Sequence, residues 1–158
     1  MTISGLHGTG KSTYAQAIAD EFNLRVISAG ELFRKIAKEK GVSIEELTQI
    51  AVTNKSIDME IDERTKNEAE KGAVVLDGRL TGWMTKNIAN IKILLTAPHP
   101  VRFKRIAERE GLTPMEAKKI TIFREKQERK RYKEYYNLDL DDVSIYDLII
   151  NTNKLPLK

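Results

Sequence analysis

The chain contains no cysteine, which excludes disulfides, thiolate metal sites and a cysteine nucleophile together. Its two histidines, His7 and His99, are far apart and outside any HExxH spacing, so the ligand pair of a zinc hydrolase is missing. Aromatic residues make up only 6% of the sequence, and three of the five tyrosines crowd together at Tyr132, Tyr135 and Tyr136. That clustering does not supply the stacking positions of an RNA-recognition module. No apolar run approaches the ~20 residues of a membrane span. The opening residues also lack the basic segment, apolar stretch and cleavage site of a leader. Asp139, Asp141 and Asp142 lack the spacing and closing Glu of an EF-hand loop. Proline is scarce, at four residues, and no linker, repeat or low-complexity stretch divides the chain. With 158 residues, 41% hydrophobic and 32% charged, the expectation is one soluble, cytoplasmic, monomeric domain spanning 1–158.

What is abundant is localised charge. The total is +4, from 27 Lys+Arg against 23 Asp+Glu. Between Arg102 and Lys133, twelve basic residues stand against five acidic ones, a local +7 that leaves −3 for the rest. Phosphate is the natural partner of such a segment, on a polynucleotide or on a small nucleotide; a solvated basic helix is the plain alternative.

Short apolar runs alternate with longer helical patterns, the signature of an α/β fold with a parallel sheet. Strands are expected at 2–4, 24–28, 73–76, 91–95 and 148–150. Ala15, Ile18, Ala19 and Phe22 give a one-faced helix from Lys11, and Leu32, Ile36 and Ala37 another. Ser43 and Glu46 have capping-box spacing, as do Thr113 and Glu116 with Pro114 at the first helical position. Further helices are expected over 58–71, ending at Gly72, and from Pro100 or Val101 to about Glu110.

Gly5-Leu6-His7-Gly8-Thr9-Gly10-Lys11-Ser12, followed by Thr13, fits G-x-x-x-x-G-K-[ST] between a strand and a helix. The glycines let backbone N–H groups converge on phosphate oxygens, and the helix N-terminus adds positive potential. Lys11 reaches the β- and γ-phosphates, and the Ser12 hydroxyl can coordinate Mg²⁺. His7 sits at an x position and is expected to contribute backbone only. Val74-Val75-Leu76-Asp77-Gly78 is an apolar strand delivering a carboxylate, which places Asp77 near the Mg²⁺ hydration shell. Asn54-Lys55-Ser56-Ile57 ends in Ile where guanine recognition needs a carboxylate, and the chain is short for a motor domain. A small-molecule kinase fits best, because phosphoryl transfer depends on positioning and on cations such as the scattered arginines.

Several separated segments then resemble one family. Ile27-Ser28-Ala29-Gly30-Glu31-Leu32-Phe33-Arg34 resembles the element after the second strand of nucleoside monophosphate kinases. Leu76-Asp77-Gly78-Arg79 resembles the D-G-R of cytidylate kinases, and residues 124–131, R-E-K-Q-E-R-K-R, resemble their lid stretch R-D-x-x-D-x-x-R. Together with D-G-R-L-T-G-W and K-R-Y-K-E-Y-Y, the pattern is similar to archaeal-type cytidylate kinases from Ile3 to about Thr152. Lys11-Ser12 departs from the Thr-Thr of many archaeal members toward the usual loop.

The resemblance implies a five-stranded parallel sheet of order 2-3-1-4-5, acceptor-binding helices over 30–71 and a lid over 110–131. It implies ATP as donor, Mg²⁺ as cofactor, and CMP and dCMP as acceptors, with no membrane or nucleic-acid partner. Catalytic cations would be Lys11, Arg124 and Arg131, the last two seven apart on one helical face, with Arg105 and Arg109 beside the lid. Arg34 would hold the acceptor phosphate, and Gly78, Arg79, Arg64 and Asp62 would surround the cytosine. Asp62 and Glu63 also read, separately, as a solvated acidic face. Trp83 and Met84 are expected in the core, and the three tyrosines as packing for the lid helix. Adenylate kinase, another small P-loop kinase and a nucleotide-gated RNA-binding protein are the alternatives.

Overall fold

The computed structural model describes residues 1–155. At its centre lies a five-stranded sheet in the order β2-β3-β1-β4-β5, every pairing parallel. β1 (Thr2–Gly5) and β3 (Val74–Asp77) are buried along their whole length, as strands covered on both faces must be. β2 (Arg25–Ser28) extends the sheet beyond β3, while β4 (Lys92–Thr96) and β5 (Leu148–Asn151) extend it on the other side. The strand order therefore reverses direction at β1. A crevice opens there at the carboxyl ends of β1 and β3, delivering Gly5 and Asp77 to one place.

Three separate apolar clusters define three regions. Ala15 and Ala19 let α1 (Lys11–Phe22) approach the sheet closely, where they join Ile3, Val75, Ile93 and Leu95. A second core holds α2 (Ala29–Lys40), α3 (Ile44–Thr53) and α4 (Ser56–Glu70) together through Ile36, Ala37, Leu47, Ala51, Ile57 and Ile61. The third is smaller: Ile106, Ala107 and Ala117 join α6 (His99–Glu110) to α7 (Pro114–Tyr136). A single turn, α5 (Thr81–Met84), follows β3. Both capping boxes form, Ser43 with Glu46 and Thr113 with Glu116.

Element boundaries differ from expectation for local reasons. Ala73 adopts φ 46°, completing the turn begun at Gly72, so β3 starts one residue late. The Asn54 side chain accepts from the Ser56 N–H at 2.9 Å and starts α4 two residues early. α6 starts at His99, because the extended Pro98 precedes it, its carbonyl accepting from the Arg102 N–H at 3.1 Å, and Pro100 lies where no N–H is needed. α7 runs 23 residues, past Arg131 to Tyr136, so the expected lid range ends inside a helix. Its far end reaches α3 and the start of α4. The Tyr135 hydroxyl is shared between the carbonyls of Ala51 and Val52, at 3.1 and 2.8 Å. Lys55 Nζ donates to the Tyr135 carbonyl at 2.9 Å. β5 is an edge strand whose Leu148 and Ile149 are exposed. Among the described residues, no helix is long and apolar enough to cross a membrane.

Candidate active site

The loop after β1 is shaped by close backbone approach. At Gly8 (φ +75°) a Cβ would lie 2.6 Å from the Arg102 carbonyl oxygen, so a side chain there has no room. At Gly5 (φ +152°) it would lie 2.4 Å from the Leu95 carbonyl oxygen. Thr9 Oγ1 and Lys11 Nζ both donate to the Leu6 carbonyl, at 2.8 and 3.0 Å. Lys11 thus folds back over its own loop. Burial and the nearby Arg79 guanidinium lower its pKa to about 8, with Asp77 pulling the other way. Ser12 Oγ donates to Asp77 Oδ2 at 2.6 Å, joining the two markers read in the sequence.

The loop opens into a cleft of about 1020 Å³, at the upper end of ligand cavities. His7, Gly8, Gly10, Lys11, Ser12 and Thr13 line its floor, while Gly5, Leu6 and Thr9 lie behind them as loop scaffold. Arg34 on α2, Asp62 on α4, and Gly78 and Arg79 after β3 line another side. Arg105, Arg109, Arg124 and Arg131 line the hairpin side. Most of the candidate residues therefore meet in one cavity.

Arg64 does not join them. It pairs with Glu60 at 2.6 Å and Glu39 at 3.1 Å on another face of α4, because the helix turns 61, 62 and 65 toward the cleft and core. Arg64, expected beside the acceptor base, is not among the residues that line the cleft. Glu63 is exposed, the plain acidic-face reading. Met84 faces the cleft rather than the core. His7 does more than lend backbone: its ring touches Arg79, and Nε2 lies 3.5 Å from the Glu128 carboxylate, which itself pairs with Arg79. Burial, then Arg79 and Lys11, push the His7 pKa far down, so the imidazole is neutral.

The hairpin arginines are already partnered. Arg105 donates to Thr152 Oγ1 and to the Thr152 carbonyl, at 2.9 and 2.8 Å, fastening α6 to the turn after β5. Arg109 pairs with Glu110 at 2.7 Å, and Arg124 lies 4.0 Å from the same carboxylate. Arg131 Nε stands 2.7 Å from Asp58 Oδ2, both side chains 8% exposed. Burial raises the Asp58 pKa against the pull of Arg131. Asp62 is pushed up to about 6 by burial, with the Asp58 charge adding to it, and it accepts from the Tyr136 hydroxyl. Asp58, absent from the sequence reading, and Tyr132, read there only as packing, line the cleft, and Tyr136 borders it through Asp62. Asp58 lies four before Asp62 and Tyr136 four after Tyr132, so helical spacing is the signal that could find them.

A parallel sheet with a phosphate loop at its switch point, facing a carboxylate at the neighbouring strand end, defines a P-loop nucleotide-binding protein. The sequence profile of the cytidylate kinase-like family matches residues 1–154, and the chain belongs to that family. A cytidylate kinase of Staphylothermus marinus is 53% identical over 158 residues, which are 100% of this chain and 89% of that protein. One of Methanocaldococcus jannaschii is 49% identical, covering 98% of this chain and 88% of its own. Among solved structures, a shikimate kinase from Bacteroides thetaiotaomicron superposes with a TM-score of 0.62 at 18% identity, over 95% of this chain and 83% of its own. That likeness concerns the fold alone.

Proposed function

We propose that the protein transfers the γ-phosphoryl group of ATP to CMP, and to dCMP, by direct in-line displacement. One observation carries the reading. A single cleft has a phosphate loop at one end and, at the other, a base-sized wall of Phe33, Ile44, Ile61 and Met84 holding Asp58 and Asp62, with arginines between. The donor's polyphosphate lies along the loop N–H groups, and Lys11 offsets charge on the migrating phosphoryl group. Arg34 and Arg79 hold the acceptor phosphate and aim its oxygen at that group. Arg124 and Arg131 close from α7, excluding water and stabilising charge that grows only in the transition state. Helices α2–α4 form the acceptor-binding region and the α6–α7 hairpin the lid. Asp62 accepts from the cytosine N4 amino group.

Ser12 and Asp77 suit Mg²⁺, since a hydroxyl and a buried carboxylate 2.6 Å apart are the hard oxygen donors it prefers. Ser12 and Asp77 would hold the ion, which would supply positive charge against the polyphosphate.

The test is incubation with ATP, Mg²⁺ and a panel of monophosphates, resolved by nucleotide chromatography. CMP and dCMP should exceed AMP and GMP by at least ~10²-fold in kcat/KM, because unpaired pocket groups penalise the wrong base. UMP should be the nearest competitor. Equal or better phosphorylation of AMP overturns the acceptor assignment and leaves a kinase.

A further inference from the structure

Arg102, in the first turns of α6, is only 1% exposed. A guanidinium survives such burial when its donors are occupied. Its Nη1 donates to Glu125 Oε1 at 2.6 Å and to the His7 carbonyl at 2.9 Å, and Nη2 donates to Glu125 Oε2 at 3.2 Å. One side chain thus joins the phosphate loop, α6 and α7. The backbone repeats the contact, since Gly8 sits directly on the Arg102 main chain. Neither Arg102 nor Glu125 lines the cleft, whereas Arg124, adjacent to Glu125, and Arg131, two turns further along α7, both do.

We propose that Arg102 and Glu125 are positioning residues for phosphoryl transfer. Arg102 sets the distance between the His7 carbonyl and α7, so that Arg124 and Arg131 meet the phosphates held by the same loop. The proposal rests on the phosphoryl-transfer reading and adds the gauge that aligns its two halves. A buried ion pair does little for net stability, but its planar geometry fixes direction as apolar packing would not. Lysine keeps the charge, yet a single ammonium cannot hold both Glu125 oxygens and the His7 carbonyl in one plane. A misplacement of about 1 Å can cost ~10²-fold in rate.

The experiment measures kcat, both KM values and Tm for the wild type, Arg102→Lys, Glu125→Gln and the double variant. Each is assayed with whichever monophosphate the wild type uses best. A wrong acceptor assignment then shows in that choice and leaves the comparison intact. Arg102→Lys should lower kcat at least ~10-fold while both KM values stay within ~3-fold, the pattern of a lost transition-state alignment. Glu125→Gln should lower kcat by at least ~3-fold, and the double variant should be no slower than Arg102→Lys, since both changes break one link. A kcat within twofold of wild type in folded Arg102→Lys, with only Tm reduced, overturns the proposal. So do losses that multiply in the double variant. If Arg102→Lys does not fold, the Glu125→Gln kcat decides the question alone.

Discussion

Helices α2–α4 and the α6–α7 hairpin border the same cleft but are built on opposite lines. Among the described residues, α2–α4 share one connected cluster of six buried apolar residues, whereas the connected cluster between α6 and α7 has three. Into the cleft the first region presents carboxylates, Asp58 and Asp62, in an apolar wall. The second presents arginines that are already partnered, Arg109 by Glu110 and Arg131 by Asp58. A wall that discriminates between bases must hold its shape before the base arrives, and packing supplies that. A hairpin that delivers charge needs little core, provided its cations are held until phosphates compete for them. On the phosphoryl-transfer reading proposed above, the difference would separate selection from rate.

The sharpest way to break this comparison is to remove what both regions serve. Lys11→Ala should lower phosphotransfer by at least ~10³-fold with every acceptor while leaving Tm nearly unchanged, because the lost charge acts on the migrating group. Near-normal turnover would take the loop out of the mechanism. Next in size is the rate side. Arg124→Ala should cut kcat by ~10²-fold with a much smaller change in KM, measured by steady-state kinetics. Arg131→Ala should do the same and also lose stability, because it leaves Asp58 buried and unpaired. Adding Asp58→Asn should restore Tm and not kcat.

The selection side should respond in ratio. Asp62→Asn retains an acceptor for cytosine N4 and adds a donor suited to uracil O4, so the CMP-to-UMP preference should narrow by ~10-fold. It should also report on stability. The folded Asp62 pKa of about 6 lies above the ordinary carboxyl value, so this group lowers stability as pH rises from ~4 to ~6. The variant should gain about 1 kcal/mol at pH 7, and nothing near pH 4, in denaturant titrations. The smallest effect belongs to Arg64→Ala. With its guanidinium committed to Glu39 and Glu60 outside the cleft, kcat/KM for CMP should change less than about threefold, the range of a surface ion pair. A loss of ~10²-fold would return Arg64 to the acceptor site.

The phosphate loop, the strand order and the cleft-facing arginines are legible in the sequence because each is set by neighbouring residues or by helical spacing. The direction a helix face points is not. Asp62 and Arg64 stand two apart on α4, and no local pattern says which of them turns inward; that depends on where Ile57 and Ile61 find their partners. Arg102 reads as one more member of a basic segment, since its burial depends on Glu125, 23 residues away on another helix. Tyr136 likewise acquires a polar role only when α7 reaches α4. β3 illustrates the smaller errors: Ala73 reads as the start of the apolar run 73–76, and its left-handed backbone keeps it out.

Lys11, folded over its own loop, makes the donor site a proton acceptor as well as an anion cradle. At a pKa of about 8 its ammonium is mostly charged in the empty site at neutral pH and mostly neutral a unit above 8. Bound phosphates should restore the charge, so above pH 8 polyphosphate binding should draw a proton from solvent. Apparent donor affinity should therefore fall by nearly tenfold per pH unit from about 8 toward 10. Calorimetry in buffers of different ionisation enthalpy should register an uptake approaching one proton per site at the alkaline end and little below pH 7. A pH-independent affinity would mean that Lys11 stays charged throughout.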